Sequence, residues 1–325
     1  MVRRRVTSGF LEEFTANITT STRKKLSTSV KNLMIYITVS VPILCESRMI
    51  RIIALALLSA LVPAHALAQS APPQALGYRL AFSDDFDTLD LSPDGKGVHK
   101  WYEGVWFSHH HAPLANIADE QSAVSLTWKR GQEQPDTSIA TFSRYSPSFH
   151  AWRYGYFEAR MKWTPVTGAW PAFWLIPVQD ATRKDVYGGV RESGELDIFE
   201  GNGKSPQSFF GTIHDWRQDP ANPDKMKDIA NSGKNNKFPL SQETDFSQYH
   251  TYGMLWEPEK ITWFFDGKPL HSEKAYVVFD RQDYFLVIGM QEGATWHVGD
   301  LTGVTAQQMT LTLDWVRVWQ KSQKR

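Results

Sequence analysis

From Tyr78 onward, apolar and polar residues alternate with a period of two in many short runs, and turn residues separate the runs. Helical periodicity is scarce. The clearest run is Arg153 to Trp163. Phe157, Ala159, Met161 and Trp163 take one face, and Tyr156, Glu158, Arg160 and Lys162 take the other. Ala172 to Ile176 is mostly apolar, which suits a central strand covered on both sides. Ile261 to Phe265 runs into Asp266-Gly267-Lys268, a strong two-residue hairpin signal. Tyr284 to Met290 and Thr310 to Trp319 read as further strands. No internal repeat is present, which argues against a propeller. The pattern predicts an all-β domain of two packed antiparallel sheets, a β-jelly-roll sandwich of the concanavalin A or lectin-like kind.

The chain before Tyr78 has a different character. Met49-Ile50-Arg51 is followed by an apolar run from Ile52 to Val62 and then by Ala64-His65-Ala66-Leu67-Ala68. A basic start, a short apolar core and small residues at a cleavage position make a secretory signal, and the run is too short to span a bilayer comfortably. Residues 1–48 carry neither strand nor helix rhythm and read as a non-native upstream extension, with translation starting at Met49. The expected organisation is therefore 1–48 extension, 49–68 signal peptide, 69–78 short linker and 79–321 catalytic domain. The mature protein is expected outside the cytoplasm, extracellular or periplasmic.

Removing that leader changes the charge. Of 35 basic and 35 acidic residues, nine basic and three acidic ones lie in 1–68, leaving 26 and 32, a net of about −6 with His neutral. An acidic domain argues against nucleic acid or an anionic membrane as partner. The single cysteine, Cys45, falls in the leader, so no disulfide or cysteine metal site is expected. Thirteen tryptophans, none before Trp101, raise the weight of a carbohydrate ligand, because sugar rings stack on such faces. Many of them serve the core under any reading.

The segment Gly194-Glu195-Leu196-Asp197-Ile198-Phe199-Glu200 places three carboxylates within six residues of an apolar strand. Regular alternation puts Glu195 and Asp197 on one face and Glu200 on the other. A single bulge near Ile198–Phe199 reverses that parity and brings all three together. Crowded carboxylates push their pKa values apart, so that one stays protonated while another stays ionised. Glycoside hydrolysis needs that division, and retention of configuration needs the pair at roughly 5–5.5 Å. Taken alone, the six residues fit equally well the solvent face of an edge strand.

The surroundings decide between these. The segment resembles the active-site strand of glycoside hydrolase family 16, in the bulged form that has two residues between the aspartate and the second glutamate. Tyr154 to Lys162, Gly168 to Pro177, Gly211 to His214, Tyr252 to Trp256, the Asp266-Gly267-Lys268 hairpin, Leu313 to Val318 and Leu80 to Phe86 are similar to the family's stretches in the same order. The resemblance spans about 80–320. It implies Glu195 as nucleophile, Asp197 as its assistant and Glu200 as acid/base. It further implies Trp170 and Trp174 in the sugar-binding cleft and His214 beside the acid/base or the sugar. Trp106 and Trp296 are further substrate-binding candidates. A structural calcium, common between the family's opening and final strands, points to Asp85 and Asp314, and catalysis itself is expected to need no cofactor. The chain departs from the family at Ile288-Gly289-Met290-Gln291-Glu292-Gly293, which bears on the substrate more than on the chemistry. The charged, Gly-rich segment Asp180 to Glu192 is read as a loop without an assigned role.

Other constellations carry less. His109-His110-His111 lacks acid or cysteine partners at ligand spacing and reads as a loop facing the cleft. No nucleophile elbow, phosphate loop or dinucleotide fingerprint is present. The expected protein is a monomeric, endo-acting, retaining β-glycan hydrolase acting on a β-1,3-glucan such as laminarin. An agarase- or carrageenase-type galactan hydrolase and a transglycosylase are the enzymatic alternatives. A glycan-binding protein on the same fold is the non-enzymatic one.

Overall fold

The computed structural model describes residues 77–103, 114–120, 122–132, 136–178, 192–205, 207–230, 236–293 and 305–321. The leader, Trp106, the His109–His111 run, Asp180 to Arg191 and Trp296 lie outside the described residues.

Two antiparallel sheets are packed face to face, as the period-two pattern predicts. One has the order β15 (Lys268–Lys274), β14 (Lys260–Phe265), β13 (His250–Trp256), β7 (Gly155–Trp163), β17 (Gln308–Lys321), β5 (Val124–Lys129) and β4 (Ile117–Asp119). The long β17 takes β5 along its first half, and β1 (Tyr78–Asp84) pairs with its second half. The other sheet has the order β11 (Asn222–Asp228), β10 (Ser208–Asp219), β9 (Glu192–Gly201), β8 (Ala169–Pro177), β16 (Tyr284–Glu292), β6 (Thr137–Ala140), β3 (Trp101–Glu103) and β2 (Leu91–Ser92). There, β12 (Asn236–Pro239) also pairs with β10. The short β2–β3 pair is parallel.

Alternation decides what fills the space between the sheets. Phe157, Ala159, Met161 and Trp163 of β7 meet Phe173 and Leu175 of β8 and Leu196 and Phe199 of β9 in one apolar cluster. Trp128, Trp256 and Trp263 are also in it and are almost wholly buried, so much of the tryptophan content is core. Six indoles and two phenols buried in this one cluster supply large apolar area at low side-chain entropy cost. The Asp266-Gly267 hairpin forms as predicted. Asp266 (φ 46°) and Gly267 (φ 72°) both adopt the left-handed region that a two-residue primed turn requires.

One face differs from expectation. Tyr156 and Glu158, placed by alternation on the polar side of β7, are buried. A second apolar cluster of Tyr156, Phe264 and Trp319, flanked by Tyr78 and Leu80, covers that side. Alternation shows which residues share a face but not what later covers it.

Candidate active site

The site lies on the face of the second sheet turned away from the core, and β9 supplies its acids. Phe173 of β8 pairs with Phe199, yet the next β8 residue, Trp174, pairs with Asp197. Ile198 is therefore the extra residue of a bulge, and β10 shows the matching shift between Phe210 and Thr212. Ile198 and Phe199 both enter the core, and Glu200 returns to the face of Glu195 and Asp197. The bulge sits where the parity argument requires it. All three acids line one cleft together with Trp170, Ala172 and Trp174.

Cross-strand register sets the layout. One row across the sheet is Val287, Trp174, Asp197 and Thr212; the next is Gly289, Ala172, Glu200 and Phe210. His214 stands opposite Glu195. Each acid has its own donor. The Trp170 indole Nε1 donates to Glu200 Oε1 at 3.0 Å, and the Thr212 hydroxyl reaches Glu200 Oε2 at 3.4 Å. The Trp216 indole Nε1 donates to Glu195 Oε2 at 2.9 Å. His214 Nε2 donates to Asp197 Oδ2 at 3.0 Å, and its Nδ1 lies 2.6 Å from Asp228 Oδ2. The His214 and Trp216 rings stack, with centroids 5.1 Å apart.

The electrostatics follow from this crowding. Burial and the neighbouring Asp197 charge raise the pKa of both Glu195 and Glu200, while His214 and the indole donors pull the other way. Burial alone favours a neutral imidazole at His214. Glu195, Asp197 and Asp228 override it and push the pKa up to about 11, which favours the charged ring. Among the described residues, Glu195, Asp197 and His214 form the one group of three such side chains close enough to share an ion. With both ring nitrogens donating to carboxylates, His214 has no lone pair to offer a metal. The arrangement suits proton transfer and nucleophilic attack at one carbon held between Glu195 and Glu200.

The expected residues fare as follows. Trp170 and Trp174 are on the cleft, half-buried rather than core, and Trp174 also packs against the small cluster of Phe142, Ile176 and Phe285. His214 contacts Asp197 rather than Glu200. Asp85 accepts from Arg317 and Asp314 accepts from Arg160. A guanidinium already neutralises each, so these two side chains do not fit the calcium site that the resemblance implies. The departure in β16 is now placed: Gly289 and Gln291 face the cleft while Ile288 belongs to the core. A Cβ at Gly289 would come within 2.7 Å of Ser138 Cβ and 2.9 Å of Thr137 O, so the close approach of β16 to β6 demands glycine. Sequence reasoning missed Trp216, Asp228 and the cleft residues Asp136 and Ser138, whereas Gln291 falls in the stretch singled out as departing from the family. Trp216 was within reach, since it lies two positions beyond His214 and shares its face.

Comparison with known proteins bears on the family and the fold. Residues 79–321 match the family model described as the GH16 domain of β-porphyranases A–D. A glucan endo-1,3-β-glucosidase of Cryptopygus antarcticus is 35% identical over 191 residues, 55% of this chain and 64% of that protein. Glucan endo-1,3-β-glucosidase A1 of Niallia circulans is 30% identical over 52% of this chain but only 24% of its own length. The match thus spans less than two thirds of both relatives. A β-glucanase of Rhodothermus marinus is 26% identical over 81% of this chain and 92% of its own. In fold, the laminarinase catalytic domain of Thermotoga maritima superposes with a TM-score of 0.57 at 20% identity, covering 75% of this chain and 99% of that one. The chain belongs to glycoside hydrolase family 16.

Proposed function

We propose that the protein is an exported, endo-acting, retaining β-glycan hydrolase whose substrate is a β-1,3-glucan. The observation that carries the reading is the bulge at Ile198, which sets Glu195, Asp197 and Glu200 on one face of an aromatic-walled cleft. In the first step Glu195 attacks the anomeric carbon, and Glu200 gives its proton to the departing glycosidic oxygen. In the second, Glu200 takes a proton from water, the resulting hydroxide attacks the same carbon, and Glu195 leaves as a carboxylate. Two inversions return the original configuration. Asp197, held by His214, supports the nucleophile. Trp170 and Trp174 offer flat faces to sugar rings. The described cleft lining comes from four neighbouring strands, β6, β16, β8 and β9, which suits a chain lying across the sheet and attack within it. The Met49–Ala68 leader directs export, and the domain acts as a monomer.

The glucan is favoured by the glucanases among the relatives and by the described cleft lining, which contains no Lys or Arg to hold a sulfate. A second reading, a β-galactan of the porphyran kind, is favoured by the β-porphyranase model that spans the whole domain. A reducing-end assay of residues 69–325 separates them. The panel is laminarin, mixed-linkage glucan, porphyran, agarose, carrageenan and xyloglucan, with Glu200→Gln as control. Release from laminarin that disappears in the variant supports the first reading, and release from porphyran or agarose alone replaces it with the second. Binding without release on every polymer would overturn both in favour of a glycan-binding protein.

A further inference from the structure

The acids of β9 are not held by β9 alone. The neighbouring β10–β11 hairpin supplies Trp216 to Glu195 and His214 to Asp197, and Asp228 stands behind His214. This carboxylate is nearly buried, at 13% side-chain exposure, although it ends an edge strand. Its two oxygens are divided between two tasks. Oδ1 accepts the backbone N–H groups of Asp215 and Ala230, both at 3.1 Å, which fixes the carboxylate to the hairpin. Oδ2 faces His214 Nδ1 at 2.6 Å. The opposite ring nitrogen faces Asp197 at 3.0 Å, and the ring plane is stacked on Trp216 at an interplanar angle of 10°. Trp216 in turn donates to Glu195.

We infer that Asp228 is a positioning residue for the hydrolytic reaction: it acts through His214, holding the imidazole doubly protonated so that a fixed cation faces Asp197 and the nucleophile. This rests on the roles proposed above for Glu195, Asp197 and Glu200. A neutral imidazole keeps one ring nitrogen without a proton, and that nitrogen would point its lone pair at a carboxylate on one side or the other. With an ionised carboxylate on each nitrogen, only the cation satisfies both. The cation then offsets charge in a site where Glu195 must be ionised to attack while Asp197 lies beside it. Charged groups facing the ring are Glu195 and Asp197 from β9, with Glu200 beyond them, and Asp228 from β11. On β10 itself, Asp215 is paired with Arg217, which also reaches Glu192.

Asp228 is not among the described residues that line the cleft and reaches Asp197 only through His214, so its removal does not delete a group of that lining. Asp228→Asn keeps the size and the contacts to the backbone but removes the charge. The outcome expected is that His214 begins to titrate between pH 5 and 9, read from the ring nitrogens by 15N NMR, whereas in the unmodified protein both stay protonated across that range. On the polymer found to be cleaved, kcat falls about tenfold to a hundredfold with KM little changed, and the shape of the pH profile changes as well as its height. Asp228→Glu, which keeps the charge, restores part of the rate. A ring that titrates below pH 9 in the unmodified protein would overturn the inference, whether or not the variants fold. So would an Asp228→Asn profile that is the original scaled by a constant. Because the nitrogen measurement needs no substrate, it also separates failure of this inference from failure of the catalytic roles on which it rests.

Discussion

Replacing Trp170 by Phe isolates one term in the ionisation of Glu200. The indole N–H is a donor only, and it sits 3.0 Å from Glu200 Oε1. It can donate to either form of the carboxyl but does so more strongly to the ionised one. A hydrogen bond to a charged acceptor contributes about 1.5–3 kcal/mol, against about 0.5–1.5 for a neutral one. The difference, on the order of 1–1.5 kcal/mol, is about one pKa unit. Burial and the Asp197 charge already raise the Glu200 pKa, and His214 and the indole are what restrain it. Removing the indole therefore raises it further. Phe keeps an aromatic face for the sugar, so the loss of stacking is small. The assay is kcat/KM against pH, which reports the groups of the free enzyme. The alkaline limb, where the acid loses its proton, is expected to move up by about one pH unit. The acidic limb should move less, since Glu195 is held by Trp216 rather than Trp170. A rate that drops with both limbs unmoved would refute the reasoning and leave Trp170 as a stacking surface alone.

Two further perturbations test the fold that carries the site. Glu158, buried on the far side of the other sheet, has a pKa raised from 4.5 to about 7, chiefly by burial, although Tyr156 and Arg317 oppose the shift. The folded state holds its proton more tightly than the unfolded chain, so stability falls as pH rises from about 4.5 to 7, by on the order of 3 kcal/mol in total. Denaturant titrations at pH 5 and 8 should show Glu158→Gln gaining on the unmodified protein by about that amount at the higher pH; equal differences at both would mean the carboxylate is ionised in the fold. Deleting Ile198 removes the bulge and leaves Glu195, Asp197 and Glu200 on one face by plain alternation, at the cost of a core side chain worth about 2–5 kcal/mol. The variant should melt earlier yet keep measurable activity in the cold, whereas inserting an alanine after Ile198 should abolish activity by setting Glu200 on the same face but six positions from Glu195, roughly 20 Å along the strand and out of reach of one carbon. A deletion variant that is folded and inactive would contradict the parity account.

How much of this was legible in the chain depended on whether a residue belonged to a patterned strand. The core face of β7 and the Asp266-Gly267 turn could be read because alternation and positive φ each select residue types. The bulge was legible for a subtler reason: three acids in an apolar strand are costly on two faces, and only one extra residue reunites them. Trp170 and Trp174 came from the resemblance rather than from pattern, and both lie on the cleft. Tyr156 and Glu158 misled because nothing in β7 announces that Phe264 and Trp319 come to lie over them. Asp228 was beyond reach. Asn222–Asp228 is short, charged and without alternation, as an edge strand exposed on both sides can be, so only its pairing with β10 brings it to His214. Asp85 and Asp314 were taken from the resemblance rather than from pattern, and their arginine partners lie on strands far away in sequence.

The central claim is that Glu195 forms a bond to the sugar and Glu200 does not. The direct measurement is to trap the intermediate with activated 2-deoxy-2-fluoro glycosides, one of the laminaribiose series and one of the galactan series, and to map the labelled peptide by mass spectrometry. The account predicts a single stoichiometric label on Glu195, absent in Glu195→Gln, with a turnover-competent glycoside in the same series as the polymer that is cleaved. A label on Glu200 or Asp197 would contradict it.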